Sequence, residues 1–443
     1  MSDSSSRSHN ITFMLRALRY RNYRLFFAGQ MVSLIGTWIT NIATSWLVYR
    51  LTGSALLLGI VGFSGQLPAF LLSPFAGLVI DRQNKHRILV ITQTLSMLQS
   101  FALAVLVFGH WITIPWLLVL SALQGLINAF DMPCRHTFVV EMIEKREDLG
   151  NAIALNSSMF NAARLIGPAI GGVLIAAVGE GWCFFVDGVS YLAVITALLA
   201  MVLKVQKPFK GTGASTMSQL KEGLKYALRS KPIRSLLILL ALISFMGVPY
   251  MILMPVFAGA ILKGGPHTLG FLMTAAGAGA LIGALWLASR KTVVGLGRII
   301  ALGALFFGLG LIAISFSRSL WPALVFLVIS GLGFMVTTAS TNTILQTIVE
   351  DDKRGRVMSL FIMAYIGTAP FGSLLAGSVS HHIGVPPTLL ISGICCLGGA
   401  LWFFKQLPEI REAIRPIYIT LGILPEVRTG IETASELSLP PEE

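Results

Sequence analysis

Twelve apolar stretches separated by short polar gaps run from residue 25 to residue 404. The coarse spans are 25–49, 55–80, 88–108, 113–137, 151–178, 183–203, 235–261, 267–289, 299–316, 320–345, 357–380 and 386–404. Each approaches or exceeds the ~20 residues that a helix needs to cross ~30 Å of hydrocarbon. The stretches are continuously apolar, without the alternation of a membrane barrel. The expected fold is therefore an all-α membrane protein of twelve transmembrane helices.

Lys and Arg crowd into every second gap. They stand at Arg7, Arg16, Arg19, Arg21 and Arg24 before the first span, then at Arg82, Lys85 and Arg87, and at Arg135, Lys145 and Arg146. Further on they fill Lys204 to Arg234, then Arg290, Lys291 and Arg298, then Lys353, Arg354 and Arg356, whereas the intervening gaps hold only Arg50, Lys263 and Arg318. Short basic loops stay cytoplasmic, which puts both termini on the inner side of the membrane. The composition, 55% hydrophobic and 12% charged, excludes an ordinary soluble domain, where about a quarter of residues are charged. The net charge of +13 is spread along one membrane face rather than gathered in a stripe, so orientation and anionic headgroups explain it and no nucleic-acid partner is expected. A polar start followed by a long first apolar run reads as a retained first span, not a cleaved leader. Cys134, Cys183, Cys395 and Cys396 lack C-x-x-C spacing and read as free thiols in packed helices.

Six spans precede the long basic segment and six follow it. The expected division is a first bundle at 1–203, a cytoplasmic linker at 204–234, a second bundle at 235–407 and a loosely ordered cytoplasmic tail at 408–443. In the linker, Met217, Leu220, Leu224 and Leu228 recur at helical spacing beside Lys221, Lys225 and Arg229. That predicts an amphipathic helix on the membrane surface, opened by Thr216 with Gln219 and stopped by Pro232. The halves also echo each other: Ile143, Gly150, Gly167, Gly172 and Gly179 recur as Ile348, Gly355, Gly372, Gly377 and Gly384, each 205 positions on (355 − 150 for one pair). Parallel halves with a substrate held between them near the midplane are a plan of secondary transporters.

Between spans two and three stands Gly77-Leu-Val-Ile-Asp81-Arg82-Gln-Asn84-Lys85-His86-Arg87, a turn whose glycine would allow close helix approach and whose charges could lock helix ends. It resembles the signature loop of the major facilitator superfamily: Gly, three residues, Asp-Arg, one residue, Gly, then two basic residues. Here Asn84, which tolerates the left-handed conformation, replaces the second glycine, and His86 a basic residue. The resemblance implies two pseudo-symmetric six-helix bundles and a gate of Gly77, Asp81, Arg82, Lys85, Arg87 and Arg135. In that gate Asp81 would sit near Arg354 to Arg356 at the positive start of span eleven, with Arg135 as another partner. Span five carries Arg164-Leu-Ile-Gly167-Pro168-Ala-Ile-Gly171-Gly172, similar to the Gly-Pro-x-x-Gly-Gly core found in exporters of the superfamily, with Ala163 in place of an upstream glycine. Pro168 removes a backbone hydrogen bond and would bend the helix, while Gly167, Gly171 and Gly172 admit a close neighbour; ordinary small-residue packing is the alternative. The stretch Arg21 to Arg87, Asn161 to Gly172 and Asp187-Gly-Val-Ser-Tyr191 look like the transmembrane secretion effector branch, which includes the enterobactin exporter. The likeness covers the first half well and the second weakly. It implies export of a small molecule by proton antiport.

Charges well inside the spans are few: Asp131, Arg164 and Asp187. A bare charge at the bilayer centre costs on the order of 3 kcal/mol or more, so each is expected to face a cavity or a partner. Helical rise puts Arg164 about 20 Å above the start of its span and Asp131 about 9 Å above the cytoplasmic end of its own, which favours an Asp131–Arg164 interaction over Asp187–Arg164, with Asp187 nearer the outer surface. If protons are exchanged, Asp131 or Asp187 carries them, a conformational change toggling the carboxyl; a static ion pair bracing the first half is the alternative. Asn41, Thr44, Gln66, Gln124, Asn128, Asn156 and Asn161, with Tyr250, Thr338, Thr341 and Tyr365 from the second half, are candidate cavity residues. Phe63, Phe70, Phe245, Met246, Met251, Met254 and Met363 would add adaptable apolar contact.

No H-E-x-x-H, G-x-S-x-G or G-x-x-x-x-G-K-[ST] occurs, and the seven histidines lie at or near loops. Neither metal nor cofactor is expected, and nothing in the chain would draw on ATP. The function expected is secondary active transport: proton-coupled export of a small amphipathic molecule, siderophore or drug-like, by a monomer in the lipid bilayer. Import of a small metabolite, or an intramembrane enzyme, is the alternative.

Overall fold

The computed structural model describes residues 15–202, 216–290, 292–421 and 423, with the side chains at 73, 74, 78, 81, 146, 216–221, 351 and 352 outside that description. Apolar runs wind into helices because lipid offers backbone groups no other partners. Among the described residues twelve helices are long and apolar enough to cross a membrane. The first half holds α1 (Arg21–Thr52), α2 (Ala55–Arg82), α3 (Lys85–Phe108), α4 (Ile114–Met142), α5 (Arg146–Val178) and α6 (Glu180–Leu199). A shorter α7 (Thr216–Arg229) leads to α8 (Lys231–Ile261), α9 (Pro266–Ala288), α10 (Leu296–Phe316), α11 (Leu320–Ile348), α12 (351–383) and α13 (Val385–Thr420). Short connections make successive spans antiparallel, so α7 and the basic loops share one membrane face, here termed the linker face.

Local chemistry sets the helix ends. Gly53 closes α1 at φ 63°, and Ser54 caps α2 by accepting from the Leu57 N–H at 3.4 Å. Pro232, expected to stop the linker helix, instead stands in the first turn of α8, where its missing N–H would have had no helical partner. Two helices are irregular: α8 contains π-helical turns at Ile243–Gly247 and Phe257–Ile261, and α12 one at Met363–Gly367. The Ser244 hydroxyl donates to the Tyr365 carbonyl and ties one π turn to the other.

The two halves pair their helices in the same way. In the first, α1 packs on α5 and α6, α2 on α4, and α3 on α4 and α6; in the second, α8 packs on α12 and α13, α9 on α11, and α10 on α11 and α13. The glycines that recur 205 positions apart hold matching places. Gly179 and Gly384 end their helices at φ 88° and 87°, a region open to glycine without strain. Gly167 abuts Trp38 of α1, and Gly372 abuts Phe245 of α8.

The outward surface is apolar, with Leu98, Val105, Val119, Leu285, Phe316, Val325 and Leu401 exposed as a lipid-facing helix requires. Exposed Trp111, Trp116, Trp182 and Trp321 stand near span ends on the side opposite the linker, a depth that amphipathic indole rings favour. Residues after Leu407, expected as a loosely ordered tail, continue α13 to Thr420, with Ile410, Ile414 and Tyr418 buried and Lys231 paired with Glu409. Residues 424–443 lie outside the described residues. The linker helix sits against the start of α12: Glu222 pairs with Arg356 at 2.6 Å, and the Lys353 ammonium lies 4.9 Å from the Tyr226 ring centroid. Ala227 is buried there while Leu224 and Leu228 stay exposed; Thr216, Met217, Gln219 and Leu220 carry side chains outside the description.

Candidate functional site

The turn between α2 and α3 binds its own half together. Asn84 caps α3, accepting from the Arg87 N–H at 3.1 Å with φ −72°, so it uses its side chain rather than the left-handed backbone expected of it. Lys85 pairs with Glu141 of α4 at 2.7 Å, and His86 Nε2 lies 2.8 Å from the Leu198 carbonyl of α6. Arg82 and Arg87 are exposed. Among the described residues nothing lies within 4 Å of a Cβ built at Gly77, so they show no close approach there. The side chain of Asp81, and with it the contact expected near Arg354 to Arg356, lies outside the described residues. Beside this turn, Arg16 and Arg19 pair with Asp148 of α5 at 3.0 and 2.5 Å.

The expected Asp131–Arg164 pair does not form. Asp131 pairs with Arg135, four residues along α4, and its Oδ1 accepts from Thr92 Oγ1 at 2.9 Å and Gln93 Nε2 at 2.7 Å. Positions i and i+4 already share a helix face, so Arg135 reaches the carboxylate without crossing the bundle. Asp187 is also deep inside the first half: its Oδ2 accepts from Thr40 at 2.9 Å and Ser100 at 2.8 Å, while Oδ1 has no hydrogen-bond partner among the described residues. Between these carboxylates runs a seam that the sequence reading passed over, formed by Thr92, Gln93, Ser96, Gln99 and Ser100 on α3, all buried. Tyr191 hydrogen-bonds Ser96 and lies 3.4 Å from the Thr37 hydroxyl. The spacing of those five residues, one face of a helix, was the available signal.

The candidate cavity residues separate. Gln124 donates to Ser96 and to Asn128, both at 3.2 Å, so these two extend the seam within the first half. Asn161 and Thr338 bond carbonyls of their own helices, Ser157 and Phe334, both at 2.9 Å. Thr44, Gln66 and Asn156 are half-buried and Asn41 is exposed.

The most extensive contacts between the halves fall at two places related by the repeat. On one side α5 packs against α9, where a Cβ at Gly172 would lie 2.8 Å from the Cα of Gly270; on the other α2 packs against α12, where a Cβ at Gly377 would lie 2.9 Å from the Cα of Gly59. Both lie toward the face opposite the linker. Deeper along α2, Phe63 and Phe70 meet Phe371 with ring centroids 5.7 and 5.9 Å apart. Pro168 lies within an unbroken α5, with its carbonyl against Gly270, and Gly171 faces Ile39 and Ile42 of α1. Arg164, farther along the same contact, lies over Trp38 at 5.9 Å and within electrostatic reach of Tyr250 and Tyr365 in the second half. The four cysteines are free, and among the described residues no group of His, Cys, Asp or Glu is placed to hold a metal ion.

Residues 13–418 match the family model described as transmembrane secretion effector. The staphyloferrin A transporter of Staphylococcus aureus (strain NCTC 8325 / PS 47) is 29% identical over 86% of this chain and 96% of the relative. The multidrug efflux pump Tap of Mycolicibacterium fortuitum is 27% identical over 86% of this chain and 95% of its own length. Among solved structures, an inward-facing, unoccupied bacterial homologue of the human lysosomal transporter Spinster superposes with a TM-score of 0.69 at 15% identity, covering 89% of this chain and 98% of that one. That last likeness concerns the fold.

Proposed function

The chain belongs to the transmembrane secretion effector family of the major facilitator superfamily, and on that premise we propose that it exports a small amphipathic molecule in exchange for protons, by alternating access. It is a multi-pass membrane transporter of small molecules and not an enzyme. The names of its relatives, a siderophore transporter and a multidrug pump, favour a siderophore or drug-like substrate.

The paired glycine contacts carry the reading. Gly172 with Gly270 and Gly59 with Gly377 bring the halves together at equivalent points on one side of the membrane, which suits two bodies that rock against each other. The basic linker face is cytoplasmic in this reading, with both termini inside the bacterial inner membrane and the chain working as a monomer. The glycine contacts then close the outer side. Gly77, Asp81, Arg82, Lys85, Arg87 and Arg135 belong to the cytoplasmic gate, with Asp81 approaching the start of α12 when that side shuts. Asp131 and Asp187 sit in the first half away from the contact between halves, so a proton can be taken up or released there while the substrate moves between halves.

Cells with and without the protein, grown under iron starvation and in rich medium, provide the test. A compound expected in the supernatant is lost, and is retained in the cells, when the protein is absent; an uncoupler reproduces that loss. A compound depleted from the medium only when the protein is present would reverse the direction to import.

A further inference from the structure

On the transporter reading, we infer that Arg164, Tyr250 and Tyr365 form an anion-binding site at the centre of the molecule, and that the substrate carries a carboxylate on an apolar, aromatic body. Arg164 lies near the middle of the 33-residue α5, and its carbonyl faces Gly277 near the middle of the 23-residue α9. That is the depth at which the two halves meet. Among the described residues its guanidinium has no carboxylate partner and no hydrogen bond, and it lies over the face of Trp38.

The buried acids within the spans of the first half are engaged by other residues. Asp131 is taken by Arg135, Thr92 and Gln93, and Asp187 by Thr40 and Ser100. An uncompensated cation inside a membrane protein is costly, and a counter-charge that arrives with the substrate relieves that cost only while the site is filled.

The second half offers two further donors. Among the described residues neither the Tyr250 nor the Tyr365 hydroxyl has a hydrogen-bond partner, although Tyr250 is only 5% exposed. Irregular backbone adjoins both: Tyr250 begins the regular stretch between the two π turns of α8, and Tyr365 lies within the π turn of α12, its carbonyl held by Ser244. A guanidinium and two phenols can all donate, and a carboxylate accepts from all three. The walls suit an aromatic body, with Phe334 and Phe361 at 6.0 and 6.1 Å from Tyr365, and Phe307 at 6.2 Å from Tyr250. The same arginine disfavours cations, which gives selectivity by repulsion as well as by attraction.

Purified protein in lipid nanodiscs, titrated with tritiated naphthaleneacetate and competed with naphthaleneacetamide and naphthylethylammonium, varies the head group at constant body. The acid is expected to bind saturably and about tenfold more tightly than the amide, and the ammonium to compete worst. Arg164→Gln removes the preference. The double variant Tyr250→Phe with Tyr365→Phe keeps the side-chain volumes, so it reads the site even if Arg164→Gln misfolds, and it weakens the preference roughly threefold or more. Equal binding of acid and amide, no saturable binding of the acid, or full preference in the double variant overturns the proposal. Flux of the same acid into proteoliposomes under a pH gradient reads the transporter reading separately. Selective binding without flux leaves the anion site and ends that reading; flux without head-group preference does the reverse.

Discussion

Asp131 and Asp187 are both buried carboxylates of the first half, and their surroundings set different consequences for replacing them. Asp131→Asn leaves the Arg135 guanidinium without its counter-charge, and removing one member of a buried pair costs about 3–5 kcal/mol. A clear fall in melting temperature in detergent is expected. Asp187 is held by hydroxyl donors, which an amide oxygen can also accept from, so Asp187→Asn is expected to shift the melting temperature by no more than about 2 °C. On the proton-carrier reading it nevertheless diminishes proton-coupled efflux from vesicles, and undiminished coupling in both variants would end that reading. The rarity of these charges was legible in the sequence, but their pairing was not. Helical rise gives the depth of a residue and not the direction in which it points, so Arg164 looked like a partner while Arg135, one turn away, took the contact. The seam on α3 went unread because Thr, Gln and Ser in an apolar helix stand out less than a charge does, although their spacing marks one face.

At the scale of elements, the glycines of the repeat fall into two classes. A Cβ at Gly172 or Gly377 would press on the backbone of the facing helix, whereas among the described residues nothing lies within 4 Å of one at Gly150 or Gly355. Gly172→Val or Gly377→Val is therefore expected to cost about 1–3 kcal/mol of packing between halves and to slow transport roughly tenfold. Gly150→Ala and Gly355→Ala should stay within about 0.5 kcal/mol, with unchanged rates. Initial rates in proteoliposomes at matched protein amount check this, and equal effects in the two classes would remove the glycine contacts from the mechanism. The sequence identified the recurring glycines but not what each one meets, because the meeting depends on helix rotation. Local punctuation misled in a similar way. Pro232 looked like a stop and is a first-turn residue, and the stretch after Leu407, expected to be loose, keeps Ile410, Ile414 and Tyr418 as a buried helical stripe with Pro408 and Pro416 inside the helix.

For the whole molecule, the twelve apolar stretches were enough to predict twelve spans, since burying backbone in lipid permits little else. The proposed anion site was out of reach of the same reading, because Arg164, Tyr250 and Tyr365 lie far apart in the chain and come within electrostatic reach of one another only when the halves associate. Orientation remains directly testable: reporter tags inserted after Lys225 and at the carboxyl end are expected to be shielded in intact cells, and labelling of either from outside would reverse the topology. The anchoring of α7 has a further mechanical result. Glu222 holds Arg356, Tyr226 lies beneath Lys353, and Lys231 at the foot of α8 holds Glu409, so the connecting helix is fastened to the second half. It should travel like a pointer fixed to one dial and read against the other. Spin labels at Lys225 and Arg411 should keep a constant separation through the cycle, while labels at Lys225 and Arg87 should drift apart and return; a fixed distance in the second pair would mean that the pointer never moves.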